Sequence, residues 1–599
     1  MEKLDITFGI CGMSGDGIIS AGKLLTHVLS EAGYSIMAFH SYPAEIRGFG
    51  RCVARCRVGV EKRLALASFT DVLISLNDEQ SLTLVDTLKD DAVVLFDNHP
   101  PTRLKEGQTI AGRVQPETDL FGIPFGNLSG AAGATTIKGR NIVALGSLAA
   151  LYGIDPDLFK RIIAHKFETK GERVVEINLR CFENGYRYVK DNFAGQMPGL
   201  LTRRDRETNE NRILISGTEA IGQAAVDVGC RLYFGYPITP ATPLMELLAE
   251  KLPENGGWMV QMEDEIASIG AVLGSGFTGT RAMTATSGPG LALMTELITH
   301  GVMTEIPILI VDVQRAGPST GLPTKTEQSD LQAAIFGGPG DTPRIVLAAT
   351  DILDCYRLTL KSFQLAERYQ TPVILLSDLF LNSRVENVAL PAISPDDTAD
   401  WNVYPDDCEK GPYHRFAITE SGISPRSIPG TEGFMYTCSG LEQTVEGTPC
   451  YEPENHMTMS AKRYRKIQGA LVDLPFPEEV FAEETGSGNL DVGVIAWGST
   501  FGAALEAVQT ARDSGLNAGI LKIVSLYPYH ADIIREFMDH CNQVLIPELN
   551  FEGQLANLIG HLCHQDIVRL ARATGVPFTA SVILENIETL SAGLTGKSN

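Results

Sequence analysis

The residues best suited to chemistry cluster between positions 235 and 324. Glu265 stands immediately before Ile266-Ala-Ser-Ile269-Gly270-Ala-Val272-Leu273-Gly274, where Ile266, Ile269, Gly270 and Leu273 recur at helical spacing. A carboxylate at the mouth of a helix is ordinarily a solvated, favourable partner of the helix dipole, which accounts well for Glu263 and Asp264. Glu265 differs because small residues follow it. Ala267, Ser268, Gly270 and Ala271 allow another segment to come close. Upstream lies Gly235-Tyr-Pro-Ile-Thr-Pro-Ala-Thr-Pro243. Its three prolines fix the backbone and remove donors, so the turn is rigid, as either a plain connection or a ligand-binding loop would be. Thr286-Ser-Gly-Pro-Gly290 and Gln314-Arg-Ala-Gly-Pro-Ser-Thr-Gly-Leu-Pro-Thr324 follow later strands. Three successive strands thus end in rigid loops. In an open parallel sheet such loops converge on one crevice.

The elements that must position these loops form blocks along the chain. Residues 1–200 alternate strand candidates (Ile6–Ile10, Ser35–Phe39, Val53–Val58, Val72–Leu76, Ala92–Phe96) with helix, which argues for a doubly wound α/β domain. Residues 201–212 are charged and aperiodic and read as a linker. The second block, 213–390, is again α/β, with strands at Arg231–Phe234, Ala282–Ala285, Ile308–Val313, Arg344–Leu347 and Val373–Leu376. Residues 391–485 lose the pattern and read as a loop-rich connection. Residues 486–599 return to α/β order.

Composition excludes several classes. The 599 residues carry 49 Lys+Arg against 73 Asp+Glu, a formal charge of −24. An extended nucleic-acid surface or an anionic membrane as main partner is therefore not expected. Apolar runs such as Ile308–Val311 fall far short of the ~20 residues a membrane span needs. The N-terminus lacks a basic-then-apolar leader, so the chain is expected to be cytoplasmic. Eleven cysteines occur without any CxxC spacing, which gives neither a disulfide framework nor a cluster or zinc site, and no metal ligands are assigned. Gly15-Asp-Gly17 opens like the magnesium–diphosphate motif of thiamine diphosphate enzymes. That motif needs a later Asn; Pro43–Gly48 offers none, and the first Asn of the chain is Asn77, so the motif is rejected.

Taken together, Tyr-Pro-Ile-Thr-Pro, the Glu265 helix, Ser-Gly-Pro-Gly and Gln-Arg-Ala-Gly-Pro-Ser-Thr-Gly-Leu-Pro-Thr resemble the 2-oxoacid:ferredoxin oxidoreductases. Gly12–Leu25 with Glu45-Ile-Arg-Gly48 resembles that family's γ domain. The order γ then α is similar to the fused α subunit of the 2-oxoglutarate:ferredoxin oxidoreductases. Two departures stand out: Gly217-Thr-Glu-Ala220 where the family commonly has Gly-Asn-Glu-Ala, and Pro339-Gly340 where many relatives have His-Gly.

The resemblance implies three α/β domains: a Rossmann-like γ domain, a thiamine diphosphate pyrimidine-binding domain and a transketolase C-terminal-like domain. It implies that Tyr236, Pro237, Ile238 and Glu265 hold the aminopyrimidine, and that Glu265 is catalytic, favouring the tautomer that takes the thiazolium proton. Thr239, Arg344 and Arg315 are implied as substrate-binding, with Arg344 expected to touch the carboxylate directly. A β subunit would supply the diphosphate site, Mg2+ and a [4Fe–4S] cluster in an (αβ)2 assembly, with coenzyme A and ferredoxin as further partners. The reaction implied is decarboxylation of 2-oxoglutarate to succinyl-CoA, reversible as a CO2-fixing synthase. Pyruvate or another 2-oxoacid as substrate, and a non-catalytic assembly subunit, remain as alternatives. Purified without its partner, the chain should be inactive and colourless. Stoichiometric iron with broad visible absorption would overturn the two-subunit reading.

Overall fold

The computed structural model describes residues 4–41, 50–100, 109–134, 138–196, 201–204, 211–404, 413–481, 489–564 and 566–595. Glu45–Gly48, Cys408 and part of the linker lie outside the described residues. The chain divides into two units, Met1–Ile215 with Arg384–Ala389, and Ser216–Ser383 with Leu390–Asn599.

The first unit is built on an eight-stranded sheet in the order Asp119–Ile123, Leu88–Asp97, Thr70–Ser75, Asp5–Met13, Arg51–Gly59, Ser35–Ser41, Val385–Val388, Ile213–Ser216. The first four strands are mutually parallel. Arg51–Gly59 is antiparallel to both of its neighbours, so the sheet is mixed. The cause is connection length: strands Ser35–Ser41 and Arg51–Gly59 are too close in sequence for the dozen or more residues of a parallel crossover. Helices Ile18–Glu31 and Arg140–Tyr152 bury Leu24, Leu25, Val28, Leu145 and Leu148 in the main core.

Arg384–Ala389, read above as the end of the second block, belongs to this sheet. Val385–Val388 pairs antiparallel with Ser35–Ser41. The Ile36 N–H donates to Asn387 Oδ1 at 2.9 Å, and Asn387 Nδ2 donates to the Tyr34 carbonyl at 2.7 Å. The strand is anchored by a buried amide, a residue that hydropathy does not mark as core.

The second unit holds two sheets. The larger has the order Ser525–Tyr527, Ile345–Ala348, Pro372–Asp378, Ile308–Gln314, Ala282–Thr286, Leu232–Gly235, Trp258–Gln261. Six strands are parallel, and Ser525–Tyr527 joins antiparallel. Ile308–Gln314 and Pro372–Asp378 are buried at every position, as strands covered on both faces must be. The smaller sheet runs Glu478–Val480, Ala518–Lys522, Leu490–Ala496, Cys541–Glu548, Ile567–Ala571. One apolar cluster, with Ile310, Val346, Ile495, Trp497 and Phe537, joins the two sheets.

The 391–485 segment contains a 17-residue helix, Pro453–Gly469, which apolar periodicity does not reveal. Its buried stripe is Met459, Lys462, Arg463, Lys466 and Ile467, so the spacing is helical but the residues are charged. Lys462 Nζ and Lys466 Nζ reach the two Glu305 oxygens at 2.6 and 2.8 Å. Arg415 Nη2 donates to the Glu305 carbonyl at 2.7 Å. Burial alone would raise the Glu305 pKa, but the Lys462, Lys466 and Arg415 charges outweigh it and hold the carboxyl well below its usual range. Burial likewise pulls the Lys462 ammonium down to about 8.

Ten free cysteines are described. Burial pushes the thiols of Cys56, Cys230 and Cys541 up to about 12. Among the described residues no group of three or more His, Cys, Asp or Glu is placed to hold a metal ion, and no helix is long and apolar enough to cross a membrane.

Removing one member of a buried ion cluster strands the others. Glu305→Gln should cost about 3–5 kcal/mol at neutral pH. Because the folded-state pKa is depressed, this stabilisation is present above the unfolded value and is lost as pH falls through the folded one. Melting curves of both proteins should therefore diverge at pH 7 and converge on acidification. A gap that is constant with pH would exclude the charge as its source.

Candidate active site

Within the larger sheet, Leu232–Gly235 has Trp258–Gln261 on one side and Ala282–Thr286 on the other, so strand order reverses there. Open α/β sheets bind ligands at the carboxyl ends of the strands beside such a reversal. Gly235, Gln261, Thr286 and Gln314 end four neighbouring strands. The segments that follow them are Tyr236–Thr239, Met262–Glu265, Ser287–Gly290 and Arg315–Thr324, which places the sequence-selected loops in one row.

The three acidic residues 263–265 separate cleanly. Glu263 is exposed. Asp264 is the N-cap of helix Glu265–Phe277, its side chain accepting from the Ala267 N–H at 2.7 Å. Glu265 is turned inward and is only 5% exposed. A Cβ added at Gly290 would lie 2.7 Å from Glu265 Oε1 and 1.9 Å from Thr286 Oγ1. The glycine is therefore the seat of the carboxylate. Gly288 does the same for a second acid, since a Cβ there would stand 2.5 Å from Asp330 Oδ1. Gly288 leaves room for a carboxylate, and Gly290 for the Thr286 hydroxyl and the Glu265 carboxylate together.

Arg315 faces this pair. Arg315 Nη1 donates to the Thr239 carbonyl at 2.5 Å, and its Nε has no partner among the described residues. Burial lowers its pKa, against the opposing charges of Asp330 and then Glu265. Thr239 is half-buried, with a cis bond to Pro240; Ile238 is half-buried, while Pro237 and the 41%-exposed Tyr236 form an open rim. The structure thus gathers Thr239, Arg315 and Glu265.

Arg344 is not part of that group. It precedes strand Ile345–Ala348, whose partner Pro372–Asp378 starts beside Ile308, so it stands at the amino edge of the sheet, opposite the row. It is fully buried and donates to the Gly337 carbonyl at 2.7 Å and the Thr342 carbonyl at 3.1 Å. Direct contact between Arg344 and a carboxylate in the Glu265 crevice is therefore corrected to bracing of the 337–342 loop.

Sequence reasoning passed over two further acids. Asp312 is fully buried and neither oxygen has a partner among the described residues. Burial, then the nearby Asp330, raises its pKa well above the carboxylate range. Asp330 is pushed up to about 6 by burial and Glu327, against the pull of Arg315. A buried strand position occupied by Asp was the available signal for Asp312. The Gly-Thr-Glu-Ala departure is structural: Glu219 closes a capping box with Ser216, and Thr218 Oγ1 accepts from Asn382 Nδ2 at 3.2 Å.

Residues 223–462 match the family model described as pyruvate flavodoxin/ferredoxin oxidoreductase, thiamine diphosphate-binding, residues 7–188 match pyruvate ferredoxin/flavodoxin oxidoreductase, and residues 491–581 match its core domain II. The α subunit of 2-oxoacid:ferredoxin oxidoreductase 2 of Aeropyrum pernix is 30% identical, with 93% of each chain covered. The chain belongs to the 2-oxoacid:ferredoxin oxidoreductase family. Mycobacterium tuberculosis 2-oxoglutarate oxidoreductase subunit KorA is 31% identical over 99% of this chain and 92% of its own. The structure of 2-oxoglutarate:ferredoxin oxidoreductase from Magnetococcus marinus, with 2-oxoglutarate, coenzyme A and succinyl-CoA bound, superposes with a TM-score of 0.91 at 36% identity, covering 98% of this chain and all of that one.

For an oxidoreductase of this family, the seat under Glu265 is testable without touching the carboxylate. Gly290→Ala should lower the melting temperature, because the new methyl group overpacks a buried site, and reduce turnover roughly 100-fold or more, the effect of moving a reacting group by about 1 Å. Undiminished kcat in Gly290→Ala would show that Glu265 does not need this position.

Proposed function

We propose that this chain is the α-type half of a 2-oxoglutarate:ferredoxin oxidoreductase, which oxidatively decarboxylates 2-oxoglutarate with coenzyme A to succinyl-CoA and CO2 and passes the electrons to ferredoxin, reversibly. The observation that carries the reading is one buried carboxylate, Glu265, beside one buried guanidinium, Arg315, at the order reversal of a parallel sheet whose domain matches a thiamine diphosphate-binding family.

The residues fit thiamine diphosphate. Glu265 is buried, makes no hydrogen bond among the described residues and sits where any side chain at 290 would intrude. When bound, that cofactor supplies the carbanion and electron sink that let a 2-oxoacid lose CO2. Tyr236, Pro237, Ile238 and Glu265 would hold its aminopyrimidine end, and Glu265 would keep or release a proton at its carboxylate. A carboxylate handles a proton best where water is excluded, and Glu265 is buried with the Arg315 charge within electrostatic reach. The same guanidinium, tethered to Thr239, would bind and orient the C1 carboxylate of the substrate together with the Thr239 hydroxyl.

A β subunit would complete the site and supply Mg2+, the diphosphate contacts and the [4Fe–4S] cluster. Support comes from the rim, where Tyr236, Ile266, Leu293 and Leu322 are 41%, 48%, 52% and 51% exposed, an apolar border suited to a partner. The choice of 2-oxoglutarate over pyruvate rests on the named relatives. Arg315, Lys325 and Arg344 are the only Lys or Arg between Ala285 and Leu347, so the distal carboxylate is assigned to cations of the β subunit.

The test is steady-state kinetics on the complex with its β partner, for 2-oxoglutarate and pyruvate, with a low-potential acceptor. Glu265→Gln should lower kcat at least about 10- to 150-fold, the loss expected from a charged hydrogen bond alone. Arg315→Lys should raise KM for both acids roughly tenfold, since an ammonium cannot reproduce the planar fork. Arg344→Lys should leave KM nearly unchanged and lower thermal stability. A large KM effect at Arg344 with none at Arg315 would place the carboxylate elsewhere, and pyruvate preferred over 2-oxoglutarate would reassign the substrate.

A further inference from the structure

The smaller sheet of the second unit has its own order reversal. Leu490–Ala496 lies between Ala518–Lys522 and Cys541–Glu548, so Trp497 and Leu549 leave adjacent strand ends at the point where an open α/β sheet takes a ligand. That crevice is filled by Gln328, a side chain from the loop after Arg315. Gln328 Nε2 donates to the Trp497 carbonyl at 3.0 Å. Its Oε1 accepts from Thr500 Oγ1 at 2.6 Å and from the Leu549 N–H at 3.2 Å. Its backbone is held as well: the N–H donates to the Leu549 carbonyl at 2.7 Å, and the carbonyl accepts from Asn550 Nδ2 at 3.0 Å. The crevice is shaped for it, because a Cβ at Gly498 would lie 2.2 Å from Gln328 Nε2. Every polar atom of a fully buried glutamine is thus matched, which is a recognition geometry rather than mere packing.

We propose that the C-terminal α/β domain is a positioning device for the active site, and that Gln328 is its contact: by locking Gln328, the domain sets Asp330, and Asp330 sets the position of Arg315. The path is short. Gln554 Nε2 fixes the Ser329 carbonyl at 2.8 Å. The next residue, Asp330, donates its N–H to Gln314 Oε1 at 3.1 Å, and Gln314 is the neighbour of Arg315 in the chain. The Asp330 carboxylate rests against Gly288 and acts on the Arg315 charge. Thr239, Glu265, Gly290 and Arg315 all lie outside this domain in sequence, yet it holds the loop that leads back to the cation. Gln328 is accordingly a positioning residue and not a catalytic one.

This proposal rests on Arg315 as the carboxylate-binding group, and the experiment separates the two. In the complex with the β subunit, KM and kcat for 2-oxoglutarate are measured for Gln328→Ala, Thr500→Val, Arg315→Lys and the double variant Gln328→Ala/Arg315→Lys. Thr500→Val removes one donor to Gln328 and serves if Gln328→Ala fails to fold. Gln328→Ala should raise KM about 3- to 30-fold, the range of network substitutions remote from a ligand, with kcat changed far less. Thr500→Val should raise it by less. Gln328→Glu, which keeps the acceptor and loses the donor, should fall between Gln328→Ala and the native chain. If Gln328 acts through Arg315, the double variant should be no worse than Arg315→Lys alone. Unchanged KM in Gln328→Ala or, where that variant does not fold, in Thr500→Val overturns the positioning role while leaving Arg315 intact. Strictly multiplicative effects in the double variant overturn the route through Arg315. A raised KM in Gln328→Ala with an unaffected Arg315→Lys overturns both the route and the assignment of Arg315.

Discussion

In a parallel sheet, whatever follows a strand leaves by one edge and whatever precedes it enters by the other. The chemistry of this chain depends on that direction. Tyr236–Thr239, Glu265, Ser287–Gly290 and Arg315 come from four separate stretches of sequence, and they meet because each follows its strand. No side-chain contact has to bring them together; the hydrogen-bond ladder does so, and side chains only refine the result. The same constraint removes Arg344, which precedes its strand and so emerges at the far edge. Two arginines with the same chemistry and similar loop surroundings are separated by the width of a sheet.

Direction alone does not hold a site still, and the connecting segment supplies that restraint. Helices Glu265–Phe277 and Gly288–Thr304 point their amino ends at the crevice. Their carboxyl ends are taken by buried arginines of the 413–450 stretch: Arg426 Nη1 donates to the Gly276 carbonyl at 2.6 Å, and Arg415 Nη2 to the Glu305 carbonyl at 2.7 Å. Cations are favourable at helix carboxyl ends, and Arg426 adds to the Gly279 N–H that the Gly276 carbonyl already accepts at 3.1 Å. The Glu305 cluster with Lys462 and Lys466 ties helix Pro453–Gly469 to the same place. Each helix that carries a seat or a carboxylate of the site is therefore pinned at the end remote from it. Long-range order here comes from buried charge.

How much of this was legible in the sequence follows from the kind of interaction involved. Strands such as Ile308–Gln314 are visible because burial on both faces favours a hydrophobic run, here Ile308–Val311 with Val313. The site loops are visible because proline and glycine are costly elsewhere. Helix Pro453–Gly469 and strand Val385–Val388 are hidden because Lys462, Lys466 and Asn387 do the work usually left to leucine, and hydropathy cannot tell a paired buried ion or amide from a solvated one. The placement of Arg344 was in principle readable: with Arg344–Leu347 taken as a strand and the site at carboxyl ends, the arginine had to fall on the wrong edge. The shared glycine logic of Gly288 and Gly290 was not readable, since the atoms that need the space, Asp330 Oδ1 and Glu265 Oε1, come from segments on either side of the motif.

The arrangement also settles a question of charge. Arg315 has two carboxylates within electrostatic reach, Glu265 and Asp330, and under the proposed function it would meet a third from a 2-oxoacid. With both neighbours ionised the local balance is already negative, and an incoming anion would be repelled in a poorly screened site. Burial relieves this. Asp312 lies behind Asp330 with neither oxygen partnered among the described residues, and its carboxyl favours the neutral form, as an unpaired buried acid must. Asp330 is itself pushed towards neutrality, to about 6. With Asp312 neutral, the inner pair carries at most one charge, so less of the Arg315 charge is cancelled than two ionised acids would cancel. The two glycines of Ser-Gly-Pro-Gly thus make room for acids in different surroundings: Glu265 at the strand ends within reach of the Arg315 charge, and Asp330 backed by Asp312, where burial weakens its acidity.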